Sequence, residues 1–302
     1  MKLWELISDA PAAALLGMCK NAGKTTALNR LIREFSRESG GTLGVTSIGR
    51  DGEGRDLVTG TDKPPIWLRE GMLAATAAGL LPLGDVSREI LASTGIYTSL
   101  GEVILFRARS DGFVQLAGPA IVEQLGTLRK MFTEFGADQV LIDGALSRRS
   151  PLAGVTDGAC VLSTGASLDR DMDRVVTETA FTAKLLGLPE IPAMPEGEEA
   201  EPDLIRLPGA FTQARAEAMI RDGKKKDGRT LIVRDASCLM LKRESYERLQ
   251  AQGLRFAVEH GSRLAAVTVN PVSAGGWRFD ADVFLEKMRA AVNVPVLDVM
   301  RE

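Results

Sequence analysis

Residues 12–17, Ala-Ala-Ala-Leu-Leu-Gly, form an apolar run that stops abruptly at the polar loop Met18-Cys19-Lys20-Asn21-Ala22-Gly23-Lys24-Thr25-Thr26. A short continuous apolar run bounded by a glycine-bearing loop reads as a strand buried on both faces. Leu28, Leu31, Ile32 and Phe35 then recur at helical spacing, and Gly40-Gly41 supplies a stop. Strand, loop and helix in this order leave few folds open. A strand buried on both faces needs a sheet with helices packed above and below it.

The same alternation continues along the chain. Thr42 to Ile48 reads as the next strand, ending in Gly49-Arg50-Asp51-Gly52-Glu53-Gly54. Residues 55–100 are less legible, with a loop through Lys63-Pro64-Pro65 and an Ala/Leu-rich helical piece. Val103 to Ala108 and Phe113 to Leu116 flank Ser110-Asp111-Gly112, a hairpin signal. Ile121, Leu125, Leu128, Phe132 and Phe135 make one helical face. Val140-Leu141-Ile142-Asp143-Gly144 follows as a buried strand ending in a carboxylate. Further strands are expected at Ala159 to Ser163, Thr230 to Val233, Leu264 to Val269 and Val294 to Val299, with helices at Leu168 to Leu186, Arg243 to Gln252 and Ala281 to Ala291. The pattern predicts an α/β fold: a mostly parallel sheet covered by helices on both faces. Residues 189–203, rich in proline and glutamate, read as an exposed linker. They divide a core at 1–188 from an α/β portion at 204–302, which either stands alone or continues the same sheet.

Gly23-Lys24-Thr25-Thr26 carries the strongest chemical signal. In a P-loop, backbone N–H groups wrap phosphates, the lysine reaches the β and γ oxygens, and the Ser/Thr hydroxyl ligates Mg²⁺. The following helix aims its N-terminal dipole at the same anion. Lys20, Asn21, Ala22, Gly23, Lys24, Thr25 and Thr26 are therefore the expected phosphate contacts, with Thr25 on the metal and Lys24 also catalytic. The pattern departs from G-x-x-x-x-G-K-[ST] in that Met18 stands where the first glycine belongs and Gly17 lies one residue earlier. Lys20 sits four residues before Lys24 rather than the five of paired-lysine loops, so it reads as an accessory phosphate contact. Cys19 reads either as a small packing residue or as a redox-sensitive thiol beside the helix N-terminus.

Magnesium in such a site also needs a carboxylate at the end of a neighbouring strand. Asp143 has that context, against the alternative of a simple turn cap. Asp51 and Glu53 end the strand after the first helix, where a residue that orients attacking water or touches Mg²⁺ is expected. An Asp-Gly-Glu-Gly run is equally a polar turn. For the base, the guanine-reading Asn-Lys-x-Asp sequence is absent, which favours ATP over GTP. Asn270 follows a strand and reads either as an amide on a purine edge or as half of a turn-forming Asn-Pro pair.

Composition excludes several other chemistries. A single histidine, His260, leaves no multi-histidine metal centre within one chain, and three scattered cysteines make neither a disulfide framework nor a zinc site. The net charge of −3 gives no footprint for nucleic acid. Lys224-Lys225-Lys226 reads as a solvated turn. The longest weakly polar stretch, Met72 to Leu83, is interrupted by Pro82 and falls short of the ~20 residues of a membrane span. The N-terminal run is too short and too acidic for a signal peptide. The expectation is a cytoplasmic protein in a reducing compartment that binds neither nucleic acid nor membrane; a homodimer is compatible with the sequence.

Six segments, Gly17–Thr26, Thr46–Glu53, Leu141–Leu146, Leu162–Ser167, Thr268–Pro271 and Val294–Val299, occur in an order that resembles the P-loop subunit of the bacterial lysine 5,6-aminomutase/ornithine 4,5-aminomutase reactivases. Ser-Ile-Gly-Arg-Asp-Gly-Glu (47–53) is the most specific of them. The resemblance spans nearly the whole chain. It implies an ATPase that works with a second subunit similar to mismatch-repair ATPases. Together they would exchange damaged cobalamin for adenosylcobalamin on a B12- and pyridoxal-phosphate-dependent aminomutase. It also implies the P-loop fold group of dethiobiotin synthetase and the molybdenum-cofactor guanine nucleotide-binding protein. Other readings of the same loop are a dethiobiotin-synthetase-like ligase or kinase, a GTP-binding cofactor-assembly chaperone, and a non-enzymatic nucleotide sensor.

Overall fold

A computed structural model describes residues 1–49, 65–144, 158–192, 203–223 and 226–301. The first strand, β1 (Ala12–Gly17), is buried along its whole length. Its residues alternate between two cores: Ala13 and Leu15 face the cluster that holds Leu28, Leu31, Ile32 and Phe35 of α1 (Lys24–Glu38), whereas Ala14 and Leu16 face the opposite one. Small residues on both faces let helices approach a central strand closely.

The chain continues through β2 (Leu43–Ser47), β3 (Ile66–Leu68), β4 (Leu73–Ala77), a 3₁₀ helix at Ala78–Leu83, β5 (Arg88–Thr98), β6 (Gly101–Ala108), β7 (Gly112–Val114), α2 (Val122–Glu134), β8 (Gln139–Asp143), β9 (Ala159–Gly165) and α3 (Met172–Leu186). The later elements are β10 (Leu204–Arg206), β11 (Phe211–Thr212), α4 (Gln213–Arg221), β12 (Thr230–Val233), β13 (Leu239–Met240), α5 (Arg243–Ala251), β14 (Arg255–Val258), β15 (Arg263–Asn270), α6 (Ala281–Ala291) and β16 (Val296–Asp298). Nine strands form one sheet in the order β16-β15-β9-β1-β8-β2-β4-β6-β5. The run from β16 to β4 is parallel, and β6 alone is reversed, pairing antiparallel with both β4 and β5. Helix α1 covers one face; α2, α3 and α6 cover the other. The fold is α/β with a large, mostly parallel central sheet flanked by helices.

Two local expectations are corrected. The Ala/Leu-rich piece expected to be helical is strand over Leu73–Ala77, fully buried between β2 and β6, and becomes 3₁₀ helix only afterwards. Alanine favours helix locally, but a slot between two buried strands overrides that preference. The expected hairpin across Ser110-Asp111-Gly112 is absent: β6 pairs with the preceding β5, and β7 leaves the sheet to pair with β3. Asp111 instead accepts a hydrogen bond from Glu70 N at 2.9 Å, so its turn serves the β3–β7 ribbon.

Strands β10, β12 and β14 form a separate parallel sheet around a core of Leu231, Val233, Phe256 and Val258, packed under Tyr246 and Leu249 of α5. Helix α3 belongs to both cores, since Leu186 packs with the central sheet and Leu185 with the smaller one. Residues 204–258 therefore build their own sheet, while β15 and β16 return to the central one. The start of the Pro/Glu segment is ordered by that smaller sheet, with Ile191 N donating to Val258 O at 2.8 Å; residues 193–202 lie outside the described set. Lys226 is also corrected: it is buried, with its ammonium on Gln252 Oε1 at 3.0 Å, rather than solvated. His260 is exposed in a turn.

The end of β2 is held by close backbone packing. Gly49 N donates to Pro119 O at 2.9 Å and Gly118 N to Gly49 O at 3.2 Å. A Cβ on Gly118 would lie 1.8 Å from Ser47 O, so the strand end and the lead-in to α2 touch only because residue 118 has no side chain. Gly118→Ala is expected to cost about 2–3 kcal/mol by forcing these segments apart. Denaturant unfolding checks it: the midpoint falls while the slope stays unchanged.

Candidate functional site

Parallel pairing puts the C-terminal ends of β1, β8, β9, β15, β16 and β2 along one edge, and the candidate residues gather there. In open α/β sheets this edge is where ligands bind. The Gly17–Lys24 segment leaves β1 and turns directly into α1. Gly23 precedes the helix at φ 92°, a left-handed conformation suited to glycine, and no side chain caps the helix start among the described residues. The first-turn amides of α1 therefore point outward without an internal side-chain acceptor. Asn21 at φ 61° is the one non-glycine residue with positive φ among those described. Asparagine is among the few residues that adopt this conformation readily.

Lys24 opens α1, where the helix dipole disfavours a cation by about 0.3–1 kcal/mol. Its ammonium is held at this position by Asp143 Oδ1 at 2.9 Å and by Gly144 O at 2.7 Å. Asp143 ends β8, directly beside β1, in register with Leu15. The carboxylate is 5% exposed and the lysine side chain 17%, so the pair sits in a semi-enclosed notch at the edge of the sheet. The strand adjacency needed to bring the two charges together comes from the sheet order alone.

Asn270, at the end of β15, is placed against the loop. Its Nδ2 donates to Asn21 O at 3.2 Å, and its Oδ1 accepts from Val272 N at 3.0 Å. A Cβ on Gly23 would lie 3.1 Å from Asn270 Cβ. The amide thus braces the loop and forms the turn at Pro271, using one donor and one acceptor of its four hydrogen-bonding positions. Thr25 and Thr26 lie in the first turn of α1, half-buried, and Lys20 is exposed on the loop. Asp51 and Glu53 lie outside the described residues.

Cys19 is half-buried, and burial pushes its thiol up to about 11. At neutral pH the thiol is therefore protonated.

The chain matches no protein-family model, no curated protein and no solved structure. Lys24 and the start of α1 supply positive charge and amides for an anion. The Thr25 hydroxyl and the Asp143 carboxylate are hard oxygen donors of the type Mg²⁺ takes. Among the described residues no cluster of three His, Cys, Asp or Glu side chains could hold a metal unaided. No helix among the described residues is long and apolar enough to cross a membrane.

Sequence reading missed the connection between the β9 and β15 ends. Asn270 O accepts from Ala166 N at 2.9 Å, and Ala166 O accepts from Trp277 Nε1 at 3.0 Å. The Arg170 guanidinium carbon lies over the Trp277 ring, 4.8 Å from its centroid. The available signal was Gly275-Gly276-Trp277, two small residues before an aromatic in a loop that follows a buried strand.

Proposed function

We propose that the segment Gly17–Thr26 is a P-loop that binds ATP with Mg²⁺, and that the chain is a slow accessory ATPase. One observation carries this reading: Lys24, at an uncapped helix start after a buried strand, is paired at 2.9 Å with the carboxylate that ends the adjacent strand. A cation at a helix N-terminus is unfavourable on its own account and gains a purpose when an anion binds there.

The residues divide the work by charge. Lys24 and the first amides of α1 take the β and γ phosphates; Thr25 and Asp143 hold Mg²⁺. Bound Mg²⁺ supplies a Lewis acid that neutralises charge on the phosphates. With nucleotide bound, the Lys24 ammonium would gain a phosphate as a second anion, and the Asp143 carboxylate would face a cation other than Lys24. The two groups can exchange partners without leaving a buried charge uncompensated. Asn270 keeps the loop in shape through Asn21, so the amides are oriented before the nucleotide arrives. Lys20 adds a peripheral positive charge, and Asp51 or Glu53 is the proposed partner of the attacking water.

The resemblance to the aminomutase reactivases supplies the client. By that reading the chain acts with a subunit similar to mismatch-repair ATPases on an adenosylcobalamin-dependent aminomutase, in the cytoplasm. The test is ADP release with Mg²⁺-ATP, measured for the chain alone and then with the second subunit and the aminomutase. Turnover is expected to be slow alone and to rise with both present. Fast turnover that depends on an added metabolite would instead assign a ligase or kinase, and equal use of GTP would remove the preference for ATP. Absence of any ATP binding in calorimetry would overturn the reading.

A further inference from the structure

An open cavity of about 380 Å³ lies beyond the C-terminal ends of β9 and β15, lined by Arg170, Gly275, Gly276, Trp277, Arg278 and Phe279. It is connected to the phosphate-loop candidate by three consecutive hydrogen bonds. Asn270 Nδ2 donates to Asn21 O, Ala166 N donates to Asn270 O, and Trp277 Nε1 donates to Ala166 O. The indole is thereby anchored by its only donor, which leaves its ring for packing. The cavity wall is a layered pair, with the Arg170 guanidinium 4.8 Å from the Trp277 ring centre. Glycine at 275 is required by that ring, since a Cβ there would lie 1.9 Å from Trp277 Cζ3.

Arg170 and Arg278 are exposed, and neither forms an ion pair with a carboxylate among the described residues. This contrasts with Arg174 on the same segment, which is paired with Asp169 at 2.9 Å. An exposed guanidinium placed over an indole is a platform for another planar electron-rich ring.

We propose that this cavity is the base subsite of the nucleotide, with a purine stacking on the Arg170–Trp277 pair. The inference rests on the phosphate-loop reading of Gly17–Thr26 and deepens it. It moves base recognition from the amide of Asn270, which is engaged in bracing, to an arginine–tryptophan stack one loop further on. Stacking reads the π face rather than a hydrogen-bonding edge, so this subsite prefers purines to pyrimidines and separates adenine from guanine only weakly.

The experiment compares ATP with inorganic tripolyphosphate, which has the phosphates and no base. Calorimetric affinities are measured for the wild-type chain, Arg170→Ala, Trp277→Ala and Trp277→Phe. Arg170→Ala and Trp277→Ala are expected to weaken ATP about tenfold while leaving tripolyphosphate unchanged. Trp277→Phe, which keeps a ring, should stay within about threefold of the wild type. Unchanged ATP affinity in Arg170→Ala and Trp277→Ala overturns the base subsite and leaves the phosphate loop standing. Equal losses for both ligands would also overturn it, since they would assign the indole to holding the loop. A wild-type chain that binds neither ligand overturns the phosphate-loop reading and this inference with it.

Discussion

Lys24→Ala is expected to weaken binding of both Mg²⁺-ATP and tripolyphosphate by about 10- to 150-fold, the loss of one charge-assisted phosphate contact worth roughly 1.5–3 kcal/mol. The loss should be the same for both ligands because the lysine touches phosphate and not base. Calorimetric titration measures it, and an unchanged affinity would refute the phosphate-loop reading. The substitution has a second consequence that depends on Asp143. Lys24 is the partner of a carboxylate that is 5% exposed, so its removal leaves a desolvated negative charge without that lysine. Breaking such a pair from one side destabilises, whereas removing both charges is much less costly. The double substitution Lys24→Ala/Asp143→Asn should therefore regain most of the melting temperature lost by Lys24→Ala and regain none of the affinity. That pattern separates a binding residue from one that only supports the fold.

Asp143→Asn preserves shape and removes the charge proposed to hold Mg²⁺. Hydrolysis is expected to fall about 100-fold, the scale of losing one well-placed electrostatic group in a dry site. Tripolyphosphate measured without metal should bind at least as well as to the wild type, because the neighbouring negative charge has gone. The added affinity that Mg²⁺ confers on ATP in the wild type should largely disappear. Titrations of ATP with and without Mg²⁺, beside single-turnover hydrolysis, read the two effects separately. A variant that hydrolyses within threefold of the wild type would place the metal carboxylate elsewhere, with Asp51 and Glu53 the remaining candidates.

The legible parts of the chain were those whose local pattern and tertiary role agree. Leu28, Leu31, Ile32 and Phe35 repeat at helical spacing and all pack into the core beneath β1. Val140, Leu141 and Ile142 are apolar on both faces because β8 lies between two parallel neighbours. The segment Leu73–Ala77 was misread because its alanines suit a helix locally, while its place between β2 and β6 is a property of the sheet. Strands β11 and β13, two residues each, carry no period long enough to recognise. The short helix α4 and strand β14 owe their place to the small sheet and the helix pair around it, which no local period signals.

Sequence alone determined the strand, the lysine- and glycine-bearing loop, the amphipathic helix after it, and a buried strand ending in Asp143. Each of these follows from side chains close together in the chain, whose burial period is set by backbone geometry. Only the tertiary structure decided which of them meet. It placed β8 beside β1, so that Asp143 reaches Lys24, and it brought Asn270 to Asn21, 249 positions away. It also divided the second half of the chain, giving β10, β12 and β14 a sheet of their own and returning β15 and β16 to the first. The physical reason is that strand order follows from which apolar faces can be covered together, and no local period encodes that choice.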